Sequence, residues 1–274
     1  ILPPPPPPPQ EKKIAIGDER ILEFGETKFI KGSRSNEDLL QVADFTRLYL
    51  DSPMPDNLKL DNILLYITRQ TLSRILLMDE LYKKFIDVQG IICEFGVFYG
   101  ANLALYEAFR GLYEPYNITR KIVGFDTFEG FPNINKKDGE SEIVQKGAYS
   151  TTKGYEEYLE QVLLYHEKQS PVSHKKKFEL IKGDATKTVK EYFNKYPETI
   201  VAFAYFDFDL YEPTKECLET IIPHLSKGAI IGFDELNHHE FPGETRAFDE
   251  VLGLNKQVIH RSRTNPYTSY ILYE

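Results

Sequence analysis

Four acidic side chains stand at the ends of two short apolar runs. Asp207 and Asp209 follow Ala204-Tyr205-Phe206, and Asp234 and Glu235 follow Ile230-Ile231-Gly232-Phe233. Carboxylates gathered in a confined site repel one another unless a cation neutralises them. Oxygen-only donors suit a hard ion such as Mg²⁺, which keeps waters or substrate oxygens in its remaining positions. Such an ion lowers the pKa of a hydroxyl beside it, and a neighbouring carboxylate can then take the proton. The pattern therefore assigns Asp207, Asp234 and Glu235 as metal ligands, with Asp207 also the general base. Alternation along an extended segment turns Asp209 to the opposite face and gives it a supporting role. Solvated strand-end carboxylates are the plainer alternative. They suit Asp209 and Glu212 better than an Asp-Glu pair directly after an apolar strand.

Three loops, each after an apolar run, offer the parts of a nucleoside site. The first is Glu94-Phe95-Gly96-Val97-Phe98-Tyr99-Gly100-Ala101-Asn102. Its glycines permit a tight turn and close backbone approach, and the following helix presents free N–H groups. It lacks the third glycine of the dinucleotide fingerprint, which counts against NAD. The second is Gly124-Phe125-Asp126-Thr127-Phe128-Glu129-Gly130, where a carboxylate can accept from both ribose hydroxyls. The third is Lys182-Gly183-Asp184-Ala185-Thr186, whose Asp can accept from an adenine amino group. Helix capping is the alternative for Asp126 and for Asp184. The expected cofactor contacts are Glu94, Phe95, Gly96, Gly100, Asn102, Asp126, Thr127, Phe128, Asp184 and Ala185. Asp209, Tyr211, His238, His239 and Arg246 are left to meet the acceptor, although an exposed, idle role is the commoner one for such histidines. Arg246 has bracing of its loop as its alternative.

Open α/β sheets bind ligands beyond the carboxyl ends of their strands, and the spacing supplies such a sheet. Strands are predicted at Ile91–Phe95, Lys121–Phe125, Phe178–Lys182, Val201–Phe206 and Ala229–Phe233. Helices are predicted between them, over Asn102–Leu112, Gly154–His166, Thr186–Lys195 and Thr214–His224, with another after Pro242. Gln257–Arg261 and Ser269–Tyr273 read as a final strand pair joined by Thr264-Asn265-Pro266. The fold class is α/β: a mostly parallel seven-stranded sheet with a C-terminal antiparallel pair, similar to the Rossmann-like class I methyltransferases. Residues 14–60 read as loops and short helices. From Asn62 to Val88 apolar residues recur at helical spacing, giving one or two amphipathic helices that pack on the sheet and serve as a lid. The domains are thus 1–13 linker, 14–88 N-terminal helical cap, and 89–274 catalytic domain.

The net charge of −9 excludes nucleic acid and anionic membranes as main partners, since both reward a basic face. No apolar run reaches the ~20 residues needed to span a bilayer. Cys93 and Cys217 have no metal-like spacing and read as reduced, buried thiols of a cytoplasmic protein. The tract Pro3–Pro9 favours an extended polyproline linker, an expected point of fusion to another domain. Self-association into a homo-oligomer is also compatible with the chain.

These residues together resemble the macrocin O-methyltransferase family, whose members methylate deoxysugar hydroxyls on natural products. The matching stretches are Glu94-Phe95-Gly96-Val97 through Gly100, Phe125-Asp126-Thr127-Phe128-Glu129-Gly130-Phe131-Pro132, Asp207-Phe208-Asp209-Leu210-Tyr211-Glu212-Pro213-Thr214, and Gly243 to Glu250. They span Asn62 to Val251. The resemblance implies S-adenosylmethionine as methyl donor, Mg²⁺ dependence, and metal ligands at Asp207, Asp234 and the next residue. The family carries Asp-Asp at that pair, whereas this chain has Asp234-Glu235, so a longer side chain sets the third ligand. The expected acceptor is a hydroxyl of a small molecule or glycan, chosen by the segment Lys136–Lys177. Two other classes share the layout: an NAD-dependent oxidoreductase or epimerase, and a non-catalytic binding module. The incomplete glycine fingerprint, the acidic cluster and the final strand pair disfavour the first. The full set of expected ligand positions disfavours the second.

Overall fold

A computed structural model describes residues 21–24, 27–30 and 35–274; the expected linker over residues 1–13 lies outside the described residues. Strands β1 (Ile21–Phe24) and β2 (Thr27–Ile30) pair antiparallel. Helix α1 (Asn36–Leu50) is a 15-residue helix opened by a capping box, with the Ser35 hydroxyl on the Asp38 amide and the Asp38 carboxylate on the Ser35 amide. Loops and short helices were expected here. The difference has a physical reason: Leu40, Val42, Phe45, Leu48 and Leu50 are spread around α1 and exposed, so no apolar stripe marks it. Helix α2 (Asp56–Asp61) and a single 3-10 turn (Ile63–Tyr66) follow.

Helix α3 (Arg69–Phe85) is the amphipathic helix predicted from spacing. Leu77, Met78, Leu81, Tyr82 and Phe85 share one face and are fully buried. They pack with Ile92 and Phe203 on the sheet. The carbonyls just beyond its C-terminus receive the buried guanidinium of Arg120, which donates to Ile86 (3.1 Å), Val88 (2.9 Å) and Gly90 (2.6 Å). The buried guanidinium and the carbonyls of the turn between α3 and the sheet thereby satisfy one another.

Beyond α3 the chain alternates as expected: β3 (Ile91–Phe95), α4 (Ala101–Tyr113), β4 (Ile122–Asp126), α5 (Tyr155–Gln169), β5 (Phe178–Lys182), α6 (Ala185–Lys195), β6 (Val201–Phe206), α7 (Tyr211–Ile221), β7 (Leu225–Phe233), α8 (Pro242–Val251), β8 (His260–Arg261) and β9 (Ser269–Leu272). The seven-stranded sheet has the order β5-β4-β3-β6-β7-β9-β8. It is parallel up to β7, with β9 antiparallel to β7 and β8 antiparallel to β9. The strand order reverses between β3 and β6, so a ligand crevice belongs at their carboxyl ends.

Two apolar layers sandwich this sheet. Residues of α6, α7 and α8 cover one face, and residues of α3, α4 and α5 cover the other. Phe125, Phe95, Phe206 and Phe233 lie side by side across four adjacent strands, with ring centroids 5.4, 4.5 and 5.3 Å apart. This aromatic row fixes the four strand ends that carry the acidic and glycine loops. Cys93 and Cys217 are buried and unpaired.

Candidate active site

The cleft begins at the glycine loop. Gly96 has φ 93°, and a Cβ there would lie 2.0 Å from the Asp207 carbonyl oxygen. Only glycine lets the β3 loop pass so close to the β6 loop. Asp126 shapes the same loop from the other side. Its Oδ2 accepts from the amides of Val97 (2.6 Å) and Phe98 (2.8 Å), and its Oδ1 from Phe128 (2.6 Å). No helix starts at Asp126, so helix capping does not explain it; the residue ties two strand-end loops together. Asp184 does cap α6, accepting from the Thr186 amide (3.1 Å) and hydroxyl (2.7 Å), and it lines the cleft as well.

The cleft has about 540 Å³ of open volume, and its walls come from all three predicted loops: Gly96, Asp126, Thr127, Asp184 and Ala185. Glu94, Phe95, Gly100, Asn102 and Phe128, expected as contacts, stand behind these walls. The Glu94 Oε1 accepts from the Asn102 amide at 2.8 Å. Its Oε2 is buried with no hydrogen-bond partner among the described residues, and burial raises the Glu94 pKa well above the usual carboxylate range. Gly100 is the left-handed N-cap of α4, packed against Leu159. Sequence reasoning missed Phe98, Tyr149 and Phe208 in the lining. Phe98 sits inside the recognised glycine loop, whereas Tyr149 comes from the inserted segment and carries no local signal.

The acidic loops meet beside this cleft. The Asp207 amide donates to the Phe95 carbonyl (2.8 Å) and the Asp234 amide to the Phe206 carbonyl (3.0 Å). Asp234 Oδ1 accepts three hydrogen bonds: from Arg74 Nη1 (3.0 Å), the Tyr205 hydroxyl (2.5 Å) and the Thr268 hydroxyl (2.9 Å). Arg74 Nη2 reaches Oδ2 at 3.4 Å, and its Nη1 lies 4.0 Å from Asp207 Oδ2. Burial, then the Asp234 charge, raises the Asp207 pKa, against the lowering effect of Arg74. Glu235 is pushed up to about 8, by burial first and then by Asp234 and Asp207. Among the described residues its Oε2 is buried without a hydrogen-bond partner, 3.7 Å from His238 Nδ1.

Asp209 corrects the alternation argument. The strand ends at Phe206, and Asp209 takes a left-handed φ of 61°, so a period of two no longer applies. It is buried, and after burial itself the charges of Asp207, Glu235 and Glu244 raise its pKa. Glu244, fully buried on α8, accepts from the Phe208 amide (3.2 Å) and the Glu235 amide (3.1 Å), joining the two acidic loops. Arg74, Tyr205, Thr268 and Glu244 were all missed as site residues.

Two expected acceptor contacts point elsewhere. The Tyr211 hydroxyl donates to Glu250 at 2.6 Å and accepts from Lys137 at 2.9 Å. The Arg246 guanidinium donates to the Lys137 carbonyl at 2.8 Å. Both brace the 136–138 turn against α7 and α8. His238 stacks on the exposed His239 ring, centroids 5.6 Å apart, and meets the buried Phe241 ring at a tilt, 5.5 Å away; burial lowers its pKa.

Among the described residues, no three His, Cys, Asp or Glu side chains are already gathered as a metal cage. The donor chemistry nonetheless fits a hard cation. Asp207, Asp209 and Glu235 carry raised pKa values from burial and mutual repulsion, and one buried Glu235 oxygen has no hydrogen-bond partner among the described residues.

The family model of the macrocin-O-methyltransferases (TylF) matches residues 73–262. The crystal structure of the calicheamicin methyltransferase CalS11 superposes with a TM-score of 0.85 at 41% identity, covering 88% of this chain and 94% of that one. The apo structure of CalS11, a TDP-rhamnose 3'-O-methyltransferase of calicheamicin biosynthesis, gives 0.77 at 38%, covering 88% and 96%. The O-methyltransferase NovP shares the fold, with a TM-score of 0.57 at 17% identity over 73% of this chain and 79% of its own. A search among curated proteins finds no match. With its glycine loop, paired acidic loops and final antiparallel strands in place, this chain belongs to the macrocin-O-methyltransferase family and is an O-methyltransferase.

Proposed function

We propose that the protein moves the methyl group of S-adenosylmethionine to a hydroxyl of a sugar, free, nucleotide-linked or within a glycosylated small molecule. The observation that carries this reading is the contact between the two half-sites. The Gly96 backbone packs on the Asp207 carbonyl, so a nucleoside against the glycine loop lies beside the acidic cluster. Asp126 and Asp184 line the nucleoside side of the cleft. Asp207 accepts the acceptor's hydroxyl proton, the freed oxygen forms a bond to the methyl carbon, and the carbon–sulfur bond breaks to leave S-adenosylhomocysteine. Rate comes mostly from holding oxygen, carbon and sulfur in line. Asp207, Asp234 and Glu235 would hold Mg²⁺ or a similar ion, which supplies charge neutralisation and a lowered hydroxyl pKa. CalS11 is a sugar-nucleotide methyltransferase at 38% identity, which supports a sugar acceptor here.

The test is methyl transfer from S-adenosylmethionine to a panel of nucleotide sugars and glycosides. Turnover is expected for at least one member, lost with EDTA and restored by Mg²⁺. In Asp207→Ala it should fall by roughly 10³-fold or more, as for a removed base and charge stabiliser, while S-adenosylhomocysteine still binds. Turnover indifferent to EDTA would remove the metal from the proposal. Calorimetric binding of NAD in place of S-adenosylhomocysteine would sink the donor assignment.

A further inference from the structure

We infer that Arg74 is a displaceable internal cation that competes with the divalent ion for the acidic cluster. The inference rests on the metal-assisted reading above. Arg74 belongs to α3, outside both acidic loops, and it is the residue that links their carboxylates. Its guanidinium forks over Asp234 at 3.0 and 3.4 Å and lies 4.0 Å from Asp207. Those two carboxylates come from adjacent strand ends, the place an ion bridging β6 and β7 would occupy. Asp234 Oδ1 is saturated by Arg74, Tyr205 and Thr268, whereas among the described residues Oδ2 holds only the long Arg74 contact. Displacing the guanidinium frees that oxygen at the loss of its 3.0 Å hydrogen bond to the Tyr205 hydroxyl, while the Tyr205 and Thr268 hydroxyls keep their bonds to Oδ1.

The surroundings allow this exchange. The neighbouring Ser73 hydroxyl is fixed to the Thr264 carbonyl at 2.5 Å, so the α3 backbone stays anchored while the side chain moves. The Arg74 side chain is 31% exposed, which leaves it a path to solvent. Among the described residues, the other ion-pair partner of the cluster is His238, 3.7 Å from Glu235. One guanidinium therefore serves carboxyl groups of both acidic loops. A divalent ion and a guanidinium on the same carboxylate repel, so metal affinity depends on how far Arg74 withdraws. Removing the guanidinium should tighten metal binding by roughly tenfold or more, given the Coulomb energies of charges this close.

Mn²⁺ binding to the full chain, followed by the electron paramagnetic resonance of free Mn²⁺, tests this with Arg74→Met. The variant should bind at least tenfold tighter than the parent. In EDTA it should melt at a lower temperature, because Asp234 is left without its cationic partner, and saturating Mg²⁺ should close that gap. Equal or weaker Mn²⁺ binding overturns the inference while leaving the metal reading intact. A melting deficit that Mg²⁺ does not close also overturns it, since it marks Arg74 as a brace only. No Mn²⁺ binding by either protein removes the metal reading and the inference together. Arg74→Lys, which keeps a charge but loses the fork, should bind with intermediate affinity and carries the comparison if Arg74→Met does not accumulate folded.

Discussion

Asp126 and Gly96 hold the same loop in different ways, one by hydrogen bonds and one by having no side chain. Replacing Gly96 by Ala puts a methyl 2.0 Å from the Asp207 carbonyl oxygen at φ 93°. The expected result is a stability loss of at least about 2 kcal/mol, from a strained φ compounded by backbone displacement. S-adenosylhomocysteine binding should be lost as well, with chemical denaturation and calorimetry as the measurements. Asp126→Asn keeps the shape but replaces one acceptor oxygen by a donor. It should weaken S-adenosylhomocysteine binding by roughly 10-fold or more, since each lost charge-assisted hydrogen bond is worth about 1.5–3 kcal/mol; unchanged affinity would mean the loop does not need it. Asp207, Asp234 and Glu235 were legible in the sequence because acidic residues directly after apolar strands are conspicuous. Arg74 and Tyr205 were not, since they meet each other across 131 residues of chain and Arg74 meets Asp234 across 160. A local pattern carries no trace of such a meeting.

Strands and helices from β3 onward were readable because periods of 2 and 3.6 separate cleanly there. Boundaries moved where capping or pairing decided them. Strand β7 begins at Leu225, four residues earlier than Ala229, because Leu225 pairs with Val201 across a register shift. Helix α3 was legible by its buried face, and Leu81→Ala at its fully buried centre should cost about 2–5 kcal/mol in urea denaturation. Helices α4 and α5 meet through a feature no periodicity shows. The Arg110 guanidinium, itself buried, donates to Glu107 (2.5 Å), to both Glu167 oxygens (3.1 Å) and to the Lys177 carbonyl (2.9 Å). Burial pushes Glu107 up to about 7, against the lowering effect of Arg110. Between its ordinary value near 4.5 and about 7 the folded chain keeps a proton that the unfolded chain has lost. This group's contribution to stability is therefore full at low pH and declines as pH rises through that window. Glu107→Gln should flatten the slope, seen as a smaller drop in the urea midpoint between pH 5 and 7 than in the parent.

The main body of the described molecule is one seven-stranded sheet between two helical layers, and its strand-end loops at a single edge form both the cleft and the acidic cluster. That arrangement links binding to folding. S-adenosylhomocysteine at about 100 times its dissociation constant should add about 2.7 kcal/mol of stability by mass action, visible as a raised melting temperature that NAD does not reproduce. Among the described residues, no helix is long and apolar enough to cross a membrane.

The carboxylate of Asp126 already holds the Val97, Phe98 and Phe128 amides, so the loop is cast as a mould before anything enters the cleft. A rigid mould of this kind grips what the donor and its spent form have in common and is nearly blind to the single carbon that distinguishes them. The by-product should consequently act as a competitive inhibitor, with an inhibition constant close to the donor's own Michaelis constant. Progress curves would then bend early and straighten when a hydrolase removes S-adenosylhomocysteine; curves unchanged by the hydrolase would show that the loop reshapes itself around the methyl.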